Sequence, residues 1–133
     1  MSSFNFDFSF VKAGAPIVTL SSLGIAFNPL SRSLLGKPAE INIGFDEDQL
    51  TIGVQAHNPS SDLQSYEFEK REKNGWVRIG CKDFSKYLSL KSNIDFISKA
   101  KQFLATYDNE TKRLIVIVNG DHLKEKKDIS KDE

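Results

Sequence analysis

The sequence predicts an α+β fold, mostly β, in which two strand-helix-strand-strand units build one compact barrel-like core. Three observations carry that expectation. Apolar residues recur at every second position, as in Ile41, Ile43 and Phe45 and again in Leu114, Val116 and Val118, which is the period of a half-buried strand. GFDEDQLTIGV at 44–54 has an echo in TYDNETKRLIVIV at 106–118, each with an aromatic residue, an aspartate, a polar turn and an alternating apolar run (Leu50, Ile52 and Val54 in the first). Helix signals are short and fall between a strand and one of these hairpins.

In chain order, FNFDFSF sets Phe4, Phe6, Phe8 and Phe10 at strict alternation, which reads as a strand with one aromatic face against a core, or as an exposed arm awaiting a partner. Gly14 and Pro16 end it, and Ile17 opens another strand. Over 24–36 a strand runs into a short helix: Asn28 suits the cap, Pro29 the first helical position and Gly36 the left-handed exit. Leu30, Leu34 and Leu35 are its expected buried side. After Pro38 an alternating strand leads into the first hairpin.

HNPSSD at 57–62 holds turn formers and no apolar residue, so it marks the boundary between units spanning roughly 17–56 and 64–119. In YEFEKREKNGWVRIG, Asn74-Gly75 specifies a hairpin turn with positive φ at both central residues. Val77 and Ile79 share a face of the following strand. Ser85 or Ser92 is the expected cap of helical segments within 85–101, and Phe103, Ala105 and Tyr107 alternate into the second hairpin. The halves match in pattern rather than identity, with an insertion of about five residues in the second helix region. A true internal duplication permits a monomer, and an unclosed second unit favours a homodimer. Residues 1–119 form one globular domain in this reading, and the charged stretch 120–133 is a disordered tail.

The 133 residues carry 18 basic and 18 acidic side chains, but the balance is uneven. Residues 1–69 hold three Lys/Arg against eight Asp/Glu, whereas residues 70–113 hold eleven against five. A basic segment points to an anionic partner such as nucleic acid, against the plainer reading of a solvated lysine-rich face. Cys81 is the only cysteine, which excludes an intramolecular disulfide and suggests a reducing, cytoplasmic location. No apolar run reaches the roughly 18 residues of a membrane helix, and the Phe-rich start lacks a secretory leader's basic region.

Chemistry-bearing motifs are scarce. His57 and His122 stand without His or Cys at zinc-ligand spacing, and Asp46-Glu47-Asp48 lacks the ligand alternation of a calcium loop. There is no phosphate-cradling glycine loop and no nucleophile elbow, so the reading is of a non-enzyme without cofactor. What remains is KREKNGWVRIGCKDFSKYLSLK at 70–91, where Arg71, Lys73, Arg78, Lys82, Lys86 and Lys91 are interleaved with Trp76, Phe84 and Tyr87. Cations in that pattern suit phosphates.

Residues 24–54 resemble the swapped-hairpin domain of AbrB-type DNA-binding regulators, the group that includes MazE-like antitoxins and SpoVT. The resemblance rests on Ile25 and Phe27, then Arg32, Leu35-Gly36, the alternating Ile41-Asn42-Ile43-Gly44-Phe45, the acidic turn Asp46-Glu47-Asp48 and Leu50-Thr51-Ile52. It implies a barrel of two intertwined units that binds duplex DNA through basic residues at the first strand and adjoining loops. This sequence has Gly24 and Arg32-Ser33 where the family carries more arginine and lysine. The DNA-contacting candidates are therefore Arg71, Lys73, Arg78, Lys82 and Lys86 of the second unit, with Arg32 of the first. The alternative is a non-catalytic module that binds a protein partner, antitoxin-like or encoded by a mobile element, and has lost DNA binding.

Overall fold

The computed structural model describes residues 15–120. The aromatic stretch at 4–10 and, apart from Gly120, the tail at 120–133 lie outside the described residues. Within them the chain is α+β and mostly strand, with two antiparallel sheets and two helices.

β1 (Ile17–Leu20) and β2 (Gly24–Phe27) form a hairpin that buries Val18, Leu20, Ile25 and Phe27. α1 (Pro29–Leu34) follows at once. Six residues are too few for a helix that supports itself, and side-chain bonds hold this one. Asn28 Oδ1 accepts from the Ser31 and Ile17 amides at 3.0 Å each, and its Nδ2 donates to the Ala15 carbonyl at 2.8 Å. The expected leucine face is only partly formed: Leu35 is buried, but Leu30 and Leu34 are half-buried. The deepest residue of α1 is Ser31, whose hydroxyl donates to the Ile17 carbonyl at 3.2 Å. The helix lies over the start of β1, where backbone groups need partners more than the core needs leucine.

β3 (Glu40–Asp46) and β4 (Thr51–Ala56) make the first predicted hairpin, and β9 (Thr106–Asp108) and β10 (Arg113–Ile117) the second. Both turns are built alike. Asp46 Oδ1 accepts from the Gln49 amide, and Asp108 Oδ1 from the Glu110 amide. Each turn then closes through a residue with positive φ, Leu50 at 51° and Lys112 at 57°. Leu50 thus belongs to the turn rather than to the apolar series of β4.

After the polar loop that begins at His57, β5 (Tyr66–Glu67) pairs with the start of β3, and a 3-10 turn (Glu69–Arg71) leads to β6 (Glu72–Lys73) and β7 (Trp76–Gly80). Asn74 and Gly75 both take positive φ, 56° and 88°, as the dipeptide requires. α2 (Lys82–Ser92) begins earlier than the serines suggested. Its cap position is Cys81, which makes no side-chain capping bond. Ser85 is instead buried within the helix, and Ser92 is its last residue. Asn93, left-handed at φ 62°, ends the helix, so no helical segment continues toward 101. The next segment turns on Asp95, whose carboxylate accepts from the Ile97 and Ser98 amides, and drops Phe96 into the core.

The first sheet has the order β6-β7-β2-β1-β8, with β8 spanning Lys101–Leu104, and the second β5-β3-β4-β10-β9. Their inner faces enclose one core, in which Phe27 meets Phe68 edge to face at 5.3 Å. Fully burying each such phenylalanine contributes about 2–3 kcal/mol. The described strands sort into two sheets rather than one closed barrel. Two segments pass between them: β8 and β9 are separated only by Ala105, and β5 and β6 by Phe68 and the 3-10 turn. Strands that switch sheets in this way make the corners of packed-sheet folds.

Candidate nucleic-acid interface

Alternation along β7 buries Val77 and Ile79 and turns Trp76, Arg78 and Gly80 outward. Lys73 lies directly opposite Trp76 in the β6–β7 hairpin, so it shares that outer face. Across the sheet, Arg78 is level with Ala26, Ala26 with Thr19, and Thr19 with Gln102. The next row sets Gly80 opposite Gly24. The result is a groove of ≈ 520 Å³ whose floor is small residues, with Arg71, Trp76 and Arg78 on one side and Ala100 and Gln102 on the other. The Arg78 guanidinium carbon stands 5.7 Å from the Trp76 ring centroid, within cation–π range.

Gly24 is required by the close approach of these strands. Its φ is +149°, and a Cβ there would sit 2.0 Å from the Ile79 carbonyl oxygen. The neighbouring bond from the Cys81 amide to the Leu23 carbonyl, at 3.0 Å, ties the β1–β2 turn to the entrance of α2. Gly80 is different, since nothing lies within 4 Å of a Cβ placed on it.

The structure brings together three of the six candidate residues, Arg71, Lys73 and Arg78, beside Trp76. Lys82 and Lys86 are exposed on α2, four positions apart and hence on one helix face. None of the residues lining the groove is a carboxylate. Arg71 has a distant contact with Glu67, at 3.9 Å, while no ion pair of Arg78, Lys82 or Lys86 forms among the described residues. Arg32 is committed elsewhere. Its Nε donates to Glu69 Oε1 at 2.9 Å, and Nη2 to Glu69 Oε2, so α1 is fastened to the 3-10 turn. That pairing holds the Glu69 carboxyl below the usual carboxylate range. With a side chain only 16% exposed, Arg32 is a structural group rather than a phosphate contact.

The position of α2 is set by the first hairpin. Phe45 packs edge-on against Phe84 at 5.6 Å and Tyr87 at 6.2 Å, and Lys91 Nζ reaches Glu47 Oε2 at 2.8 Å. The Lys91 hydrogen bond lowers the Glu47 carboxyl and raises the ammonium. Burial pushes the Cys81 thiol up, so at neutral pH it favours the unreactive form.

A second groove, of ≈ 690 Å³, lies on the outer face of the second sheet over the facing pair Gly44 and Gly53. Its wall is a ladder of side chains: Arg113 Nε donates to Gln55 Oε1 at 2.9 Å, Gln55 Nε2 to Asn42 Oδ1 at 3.2 Å, and Asn42 Nδ2 to the Gln64 carbonyl at 2.9 Å. Asn42 Nδ2 is also 3.0 Å from His57 Nδ1. This groove is larger, but its lining balances Asp46 against Arg113 and concentrates no single charge. Sequence reading missed it, because Asn42, Gln55 and Arg113 meet only when three strands are in register. No group of three or more potential metal ligands occurs among the described residues, nor any helix long and apolar enough to cross a membrane.

The fold and these two outer faces define an α+β protein of two antiparallel sheets with one basic, tryptophan-bearing groove. Comparison with protein-family models, curated proteins and solved structures finds no match.

Proposed function

We propose that the protein is a small, non-catalytic, cytoplasmic DNA-binding regulator of AbrB-like type that contacts phosphates mainly through its basic second half. The observation that carries this reading is the convergence of Arg71 and Arg78 in a groove lined by no carboxylate, with Lys73 opposite Trp76 beside it and Lys82 and Lys86 on the helix that follows. Such a face neutralises phosphate charge and releases counterions.

Strand pairing supports the accompanying reading of two duplicated units arranged as a barrel-like whole. β2, which leads into the cap of α1, pairs with β7, which leads into α2. β4 and β10, the closing strands of the two matched hairpins, pair with each other. Asp46 faces Thr51 across its turn as Asp108 faces Arg113. Each sheet edge also hands its chain to the other sheet, through β8–β9 and β5–β6. On this reading the protein completes with one chain what single-unit relatives complete by dimerising.

Fluorescence anisotropy of a labelled mixed-sequence duplex, titrated at low and moderate salt, tests the reading. Salt-sensitive binding is expected. Replacing Arg78, Lys82 and Lys86 together by alanine lowers the salt slope by about 0.9 per lost phosphate contact. Negligible binding at low salt overturns it.

One observation favours a second reading. Arg32, the arginine of the family-like stretch, is consumed by Glu69, as expected of a unit that kept the fold for binding a protein and lost its DNA surface. Stoichiometric recovery of a protein partner, together with absent duplex binding, distinguishes it.

A further inference from the structure

We infer that the groove on the outer face of the first sheet is a site for single-stranded nucleic acid, in which Trp76 stacks on an unpaired base and Arg71, Lys73 and Arg78 meet the flanking phosphates. The inference rests on the reading that this basic face meets nucleic acid, and it names the form of nucleic acid the groove accepts.

Shape is the first argument. A duplex presents phosphates on a convex ridge and keeps its base faces inside the stack, so it offers an indole in a groove nothing to stack on. A single strand exposes the π-face of each base, and sheet surfaces that combine an aromatic side chain with cations are suited to it. The volume of ≈ 520 Å³ is of small-ligand size, enough for a splayed nucleotide.

The floor is the second argument. Gly24, Gly80 and Ala26 leave the sheet bare between the Trp76 side and the Gln102 side. Packing demands the glycine at 24, but a Cβ at 80 would point into open space. A strand glycine that the fold does not require weakens the strand and admits close approach from outside. Ser21, Thr19 and Gln102 line the same groove and supply hydrogen-bonding groups for base edges.

Charge is the third. Arg78 is held over the indole rather than by a carboxylate, so the cation and the stacking surface are presented together. That combination complements a strand that alternates phosphates with bases and fits a neutral or cationic partner poorly.

Trp76 is the only tryptophan of the chain, so fluorescence excited at the red edge of indole absorption, where tyrosine does not absorb, reports on this groove alone. The full-length protein is titrated with unlabelled oligothymidylate, oligouridylate and a mixed-sequence duplex of equal length, at low and moderate salt. Quenching by a single strand, weakened by salt, is the expected result, and the two oligomers show whether deoxyribose or ribose is preferred. Trp76→Ala, followed by anisotropy of the labelled oligomer, weakens binding about tenfold or more, as expected for loss of one stacked base. Trp76→Phe keeps most of it and guards against a folding defect, which far-ultraviolet circular dichroism checks in both variants. Single-strand binding that leaves Trp76 unquenched, or that survives Trp76→Ala, overturns the inference. Binding of the duplex alone overturns it and leaves the DNA-binding reading standing; binding of neither overturns both.

Discussion

The two helices follow strands that pair with each other, β2 and β7, yet they are fastened by opposite means. α1 is short and tied by polar bonds: Asn28 engages the chain on both sides, Ser31 reaches Ile17, and Arg32 clasps Glu69. α2 is nearly twice as long, has no side-chain cap, and is held by Leu88 in the core and by aromatic contacts with Phe45. The difference decides which half shows its charge. The first spends its arginine on holding a helix that cannot support itself, whereas the second, secured by packing, leaves Lys82 and Lys86 at the surface.

Leu88→Ala attacks the apolar tether directly and carries the largest expected effect. With Leu88 fully buried, the loss is about 2–5 kcal/mol, read from the urea midpoint. Gly24→Ala comes next, because the β1–β2 hairpin touches the entrance of α2 there. Positive φ and the clash with the Ile79 carbonyl cost about 1–3 kcal/mol. Asn28→Ala is expected to cost about 1–2 kcal/mol through the lost cap, while Cys81→Ala, which removes no cap, stays under about 1 kcal/mol. Equal costs at the two cap positions would erase the contrast between the helices.

The smallest expected effect is on pH dependence. Glu69 and Glu47 are both held below the ordinary carboxylate range, by hydrogen bonds from Arg32 and Lys91 respectively. A depressed folded pKa contributes stability above the unfolded value and loses it as pH falls through the folded value. Thermal midpoints should therefore drop on acidification below about pH 4.3, the ordinary glutamate pKa. Glu69→Gln should flatten part of that limb through the α1 tether, and Glu47→Gln through that of α2. An acid limb identical to the wild type's in both variants would remove the ion pairs from the comparison.

Elements governed by neighbouring residues were legible in the sequence. Alternation gave the strands of both hairpins, Asn74-Gly75 gave its turn, and Asn28-Pro29 gave the start of α1, because each signal acts over a few bonds. The beginning of α2 was not legible. Cys81 is a poor capping residue and Ser85 and Ser92 are better ones, yet the helix starts at Lys82, with Leu88 and Phe84 packed against the core. Phe96 is fully buried from the irregular segment between α2 and β8, which helix and strand periods do not detect. The basic cluster was half legible: alternation fixes Arg78 beside Trp76, but the loss of Arg32 depends on Glu69, 37 positions away. Thr19 and Gln102 joined the groove only through register across strands distant in the chain.

The pairing of β1 with β8 bears on how the chain is made. Ile17 lies opposite Leu104, so a nascent chain emerging from the ribosome carries β1 with one open edge until nearly the whole domain has been synthesised. Contacts this distant form late and slowly. Throughout that interval the unpaired edge of β1 is a template for strands of other chains, and chaperone demand during synthesis should end when the β8–β9 segment arrives to cover it.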